Sequence, residues 1–146
     1  MAERTEREVL EHLVEICRDG ERGFQAAAQY VRTTELKTLF TQLAEQRHAF
    51  ACDLAPHVNR LGGSALADGT GAGAVHRGWM KVRAHVPVHH DRAILNEAER
   101  GEHAAMKAYD DALNGVLPPT VIGIVEAQRE EMRASQQRIH DFNHVH

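Results

Sequence analysis

Aromatic residues are scarce in this chain, which has one tryptophan, two tyrosines and four phenylalanines. A core with so few rings and with alanine-rich stretches agrees with helices packed closely through small side chains. Cysteine is scarcer still: Cys17 and Cys52 are the only two, and no Cys-x-x-Cys spacing joins them, so they read as buried or half-buried thiols. There is no basic surplus. Acids outnumber Lys plus Arg by 21 to 17 and the basic residues are dispersed, which excludes a nucleic-acid or polybasic membrane footprint. No apolar run approaches the roughly 20 residues of a membrane span, and the start, Met1-Ala2-Glu3-Arg4-Thr5-Glu6-Arg7-Glu8, is charged where a signal peptide needs an apolar stretch. A cytoplasmic location is therefore expected. A Gly-rich phosphate loop is missing, and no serine or cysteine stands beside a base and an orienting group, so no catalytic residue is assigned.

What the chain does have is a repeat. Asp19-Gly20-Glu21-Arg22-Gly23 is echoed by Ala98-Glu99-Arg100-Gly101, with Glu21, Arg22 and Gly23 in register with Glu99, Arg100 and Gly101. Each copy is followed by a segment carrying a Gln-Arg pair, Gln46-Arg47 and Gln128-Arg129, so the unit reads as a helix pair used twice. At 146 residues this makes one domain, long enough to close a single core.

Periodicity places the helices. Thr5 and Glu8 form a capping box ahead of a stripe of Val9, Leu13, Ile16, Gly20, Phe24, Ala27 and Val31. Gly20 and Gly23 inside that stripe each cost roughly 1 kcal/mol against alanine, which points to close approach of a neighbouring helix. Thr33-Thr34 makes a turn and N-cap, and a second stripe runs through Leu36, Phe40, Leu43, Phe50, Leu54 and Val58 to a stop at Gly62-Gly63. The third helix starts near His90-Asp91 and ends at Asn114-Gly115; Pro118-Pro119 opens the fourth, which frays into the histidine-bearing tail Asn143-His144-Val145-His146. Between the hairpins lies a Gly/Ala/Ser-rich loop and a short amphipathic helix, Val75, Trp79, Val82 and Val86, expected to pack on the bundle. The expected helices are about 5–31, 34–61, 74–86, 90–114 and 118–143. The fold class is all-α: a ferritin-like four-helix bundle of two antiparallel helical hairpins joined by a long crossover that contains the short helix.

At about 100° per residue, polar groups also point inward. Arg47 lies near the centre of its stripe with Gln46 at the edge, Gln128 lies between Val125 and Met132 with Arg129 at the edge, Glu102 faces in, and Glu21 and Glu99 sit on shoulders. All fall at mid-helix, so Glu21, Gln46, Arg47, Glu99, Glu102, Gln128 and Arg129 are expected to form one buried polar layer. Two chemistries compete for it. One is a structural network in which the arginines neutralise the glutamates. The other is a metal site, since di-iron bundles take a Glu from two helices and a Glu-x-x-His from the other two. Glu45-Gln46-Arg47-His48 is the one such string, and its phase is poor; Glu126 and Glu130 on the fourth helix are followed by Arg129 and Arg133 where histidines would be needed.

The stretches Cys17-Arg18-Asp19-Gly20-Glu21-Arg22-Gly23-Phe24, Leu61-Gly62-Gly63, His76-Arg77-Gly78-Trp79, Glu97-Ala98-Glu99-Arg100-Gly101-Glu102 and Leu117-Pro118-Pro119 carry a resemblance. Through them the chain resembles a bacterial four-helix-bundle family, a domain of unknown function placed near the rubrerythrin and bacterioferritin superfamily. The resemblance covers almost the whole chain. It implies a ferritin-like fold and a loose association with stress responses, with no activity attached. On the ferritin pattern it implies Glu21 as the first carboxylate, Glu45 and His48 as the second-helix pair, Glu99 or Glu102 from the third helix and Glu126 or Glu130 from the fourth. Iron is the cofactor this pattern implies.

Three functions stand open on the sequence: a non-catalytic bundle acting through its surface or by self-association, a di-metal redox or storage protein, and a small-molecule sensor closed by the Trp79 helix. Gly20, Gly23, Gly101 and the alanine runs exceed the needs of one bundle, so a homodimer is expected.

Overall fold

The computed structural model describes residues 4–63 and 90–145. Within them lie four α-helices: α1 (Glu6–Tyr30), α2 (Thr34–Arg60), α3 (His90–Leu113) and α4 (Pro119–Val145). The short helix expected around Trp79 lies outside the described residues.

Local signals set the helix ends. The Thr5 side chain accepts from the Glu8 amide while the Glu8 carboxylate takes the Thr5 amide, completing the capping box. Gly62 closes α2 in the left-handed region at φ 85°, and Pro119 begins α4. One cap differs from expectation. Thr33 stands at the N-cap of α2 but makes no side-chain cap bond; its hydroxyl donates instead to Asp91 Oδ2 at 2.5 Å. The Asp91 carboxylate also accepts from the backbone amides of Arg32 and Thr33 at 2.8 and 3.1 Å. The first turn of α3 thus clasps the α1–α2 turn.

This clasp and the cross-bundle bonds define the topology. The start of α3 meets the end of α1, and Cys17 of α1 meets Tyr109 of α3, so α1 and α3 are antiparallel. Gln46 meets Ser135 and Gln42 meets Arg138, so α2 and α4 are antiparallel too. It follows that α2 and α3 run in the same direction. At the far end Gly63 sits against Arg7 and Glu11 of α1, so the chain from Gly63 to His90 joins opposite ends of a bundle about 40 Å long.

Apolar packing fills the bundle in two blocks. Val9, Leu10, Leu13, Phe50, Leu54, Tyr109, Val121 and Met132 belong to one; Phe24, Leu36, Phe40, Leu43, Ile94 and Ile139 belong to the other. Each fully buried leucine or phenylalanine contributes roughly 1.5–3 kcal/mol. Between the blocks lies a polar waist, with Arg47 and Glu102 at its centre.

The waist explains one glycine and leaves others free. A Cβ at Gly20 would lie 3.3 Å from both Cγ and Nη1 of Arg47, so the close neighbour inferred from sequence is an arginine side chain rather than a helix backbone. A Cβ at Gly101 or Gly123 would meet nothing within 4 Å. Gly123→Ala should therefore stabilise by about 0.5–1 kcal/mol, the ordinary gain of alanine over glycine inside a helix. Gly20→Ala should destabilise, because Arg47 is held at both its stem and its head and cannot withdraw. Urea or thermal melts of the two variants check the opposite signs.

Candidate functional site

The polar waist starts from helix phase: Arg47 falls between Leu43 and Phe50 on the inward stripe of α2 and must satisfy its guanidinium inside the core. It does so by crossing the bundle. Nη2 donates to the Glu102 carboxylate of α3 at 2.7 Å, and both side chains are only 1% exposed. Nε donates to Gln46 Oε1 at 3.2 Å, the guanidinium lies 5.2 Å from the centre of the Phe24 ring, and the stem passes over Gly20. Gln46 Nε2 in turn donates to Ser135 Oγ of α4 at 3.0 Å. All four helices meet at this level. Burial pushes the Glu102 carboxyl above the usual carboxylate range, and the Arg47 guanidinium opposes that push without cancelling it.

A second polar layer crosses the bundle toward its other end. Tyr109 Oη donates to Gln128 Oε1 at 2.7 Å, and Gln128 Nε2 donates to the Phe50 carbonyl at 3.2 Å. With its proton committed to Gln128, Tyr109 Oη is the acceptor for the Cys17 thiol at 3.1 Å. The order Cys17–Tyr109–Gln128–Phe50 again touches α1, α3, α4 and α2. Burial pushes the Cys17 thiol up to about 11 and the Tyr109 hydroxyl well above its usual range.

The seven residues expected in one layer are therefore distributed. Arg47, Glu102 and Gln46 share the waist, with Ser135 supplying the α4 contact. Gln128 belongs to the second layer. Arg129 lies on the edge of α4 and forms an ion pair with Asp110 of α3. It sits roughly 9 Å along the helix from Ser135, because α4 is shifted against α2 relative to the level expected from counting turns. Glu21 stays on its shoulder, where it accepts from Arg18 at 3.2 Å and meets His48 Nδ1 at 3.1 Å. Glu99 faces α4, where it accepts from Asn143 Nδ2 at 3.1 Å and stands against His140 and His144.

The seven metal candidates likewise do not converge. Glu45, Glu126 and Glu130 are exposed. His48 lies on the α1–α2 surface beside Glu21 and Cys52, and the Glu102 carboxylate is held by Arg47. Among the described residues, the grouping with metal-ligand spacing is Glu99, His140 and His144, of which the sequence pattern points to Glu99 alone. His140 and His144 are four residues apart on one face of α4, a spacing visible in the sequence once the helix is known to run on to Val145.

Between α1 and α3 opens a cleft of about 380 Å³. Its walls carry Gly20, Gly23, Ala98, Gly101, Ala104 and Ala105, and Arg47 and Glu102 lie at its floor. The two copies of the sequence repeat thus face one another across it.

These features define an all-α four-helix bundle of two packed hairpins, with an ion-paired polar centre. The chain belongs to the family described as a domain of unknown function (DUF2383), which matches residues 5–115 and so spans α1, α2 and α3. No curated protein matches it.

The thiols separate the interior from the surface. Cys52 is exposed and Cys17 is buried with its acidity suppressed. At pH 8 a thiol-reactive dye should label one cysteine per native chain quickly, Cys52, and the second only on unfolding. Rapid labelling of two thiols in native protein would show that the Cys17–Tyr109 layer opens readily.

Proposed function

We propose that this chain is a non-catalytic bundle of the ferritin-like kind, in which an arginine–glutamate ion pair holds the centre that a metal pair would use, and which works by self-association. The observation that carries this reading is the Arg47–Glu102 pair, closed at 2.7 Å with both side chains 1% exposed. The ferritin-like assignment is supported by the single long crossover between two hairpins. A di-iron centre in that fold needs carboxylates from all four helices and histidines from two of them. Here a guanidinium occupies the Glu102 carboxylate, the α4 candidates Glu126 and Glu130 point to solvent, and His48 bonds Glu21 outside the core. These residues do not fit an iron pair. The family resemblance supports a bacterial, stress-associated protein with a cytoplasmic setting.

Self-association rests on the cleft. Gly101 is exposed, has no intrachain neighbour for a Cβ, and stands next to exposed Ala104 on α3. A glycine there weakens the helix without serving its own bundle. The occupant that fits is a second copy, whose α3 brings the same small residues to a two-fold contact. The rim is self-complementary as well: Glu97 and Arg100, ion-paired within one chain, would each face the opposite charge of the partner across the axis.

Two outcomes follow. Arg47→Met should destabilise by about 3–5 kcal/mol by leaving a buried carboxylate alone, whereas adding Glu102→Leu should restore most of that loss, because an apolar pair can replace a buried ion pair at little cost. Denaturant melts measure both, and a melting-temperature rise with iron or manganese that disappears in Glu102→Gln would overturn the reading. At tens of micromolar the native mass should be twice the 16.3 kDa of the chain. Gly101→Glu, which has room in the monomer, should give single chains of undiminished helicity. A monomeric wild type in sedimentation equilibrium sinks the self-association.

A further inference from the structure

We propose that Glu99, His140 and His144 form a surface site for one divalent transition-metal ion of the class that prefers imidazole, such as zinc, separate from the bundle centre. Glu99 comes from α3 and the two histidines from successive turns of α4. His140 Nδ1 lies 3.6 Å and His144 Nε2 3.4 Å from the same oxygen, Glu99 Oε1, and one ligand atom from each residue lies within 4.8 Å of the others. Ligands about 2.1 Å from a tetrahedral zinc stand about 3.4 Å apart, so little movement is needed to close the three around an ion. The two imidazole rings are 4.1 Å apart and tilted at 37°, so both stand on the same side of α4 toward Glu99.

The carboxylate is positioned from behind. Glu99 is 17% exposed, while the histidines are 52% and 54% exposed, so the rings can turn and the carboxylate is steadied. Buried Asn143, from the same last turns of α4, donates to Glu99 Oε1 at 3.1 Å and to Asn96 Oδ1 at 2.8 Å, and accepts from Arg92 at 3.2 Å. An outer hydrogen bond of this kind fixes the orientation of a ligating group. Two imidazoles and one carboxylate select zinc, nickel or copper over magnesium or calcium, which take all-oxygen shells. Three protein ligands leave at least one coordination position open to water or to an outside group. Bound metal would also tie the end of α4 to α3.

The test uses the full chain without a polyhistidine tag and zinc as the probe, read by metal content after dialysis and by thermal melting. One zinc per chain and a raised melting temperature are expected. His140→Ala, His144→Ala and Glu99→Gln should each lower zinc affinity by at least about tenfold, no less than the loss of an outer partner costs. His103→Ala, which alters an exposed histidine bonded to Gln136 elsewhere on the same hairpin, should leave binding unchanged. Failure of wild type to bind zinc at micromolar free metal, or binding that His140→Ala leaves intact, overturns the site. A metal effect removed by Glu102→Gln and untouched by His140→Ala would instead place the ion at the bundle centre and contradict the proposed function.

Discussion

Two charges placed in the middle of a helical core have to find each other or the core cannot close. Arg47 and Glu102 come from diagonally opposed helices, so their bond can form at only one relative height and rotation of the two hairpins. Burying such a pair adds little net stability, since desolvation of both groups opposes the attraction, and the upward push on the Glu102 carboxyl reports that opposition. A pair of this kind penalises packings that leave either charge without its partner. Any slip of one hairpin along the other would strand a guanidinium in an aliphatic block, a cost far larger than the loss of a few methyl contacts.

The neighbours of the pair follow from that constraint. Gly20 is small because the arginine stem lies on it, Phe24 presents its ring to the guanidinium, and Gln46 links the charge to Ser135. The apolar core is divided as a result. One block holds the end with the Cys17–Tyr109–Gln128 chain, and the other holds the end with the Asp91 clasp. A sequence repeat that places Glu21 and Glu99 on equivalent shoulders gives each hairpin the same surface motif, a carboxylate of its first helix against histidine of its second.

Helix ends and inward faces were legible because they depend on local chemistry and on a fixed angle per residue. The Thr5–Glu8 box, the Gly62 stop and the Pro119 start are read within a turn of chain, and the inward direction of Arg47 and Glu102 follows from phase alone. Height along the bundle is a different matter. Periodicity says which way a residue points and nothing about how far one helix slides past another, which is why Gln128 meets Tyr109 rather than Arg47, and Arg129 leaves for Asp110. Ser135 and Asn143 carried no signal as single residues in polar company. His140 and His144 did carry a spacing, but Glu99 becomes their partner only through the tertiary arrangement.

The Asp91 clasp has a kinetic meaning. The first hairpin brings its own helices together across a turn of three residues, yet the amides of that turn stay without their acceptor until a carboxylate nearly sixty positions later arrives. The first hairpin on its own therefore has an unfinished corner, and docking of the second hairpin completes it. The separation in sequence between that turn and Asp91 makes the docking a long-range contact, of the kind whose loop-closure entropy slows folding.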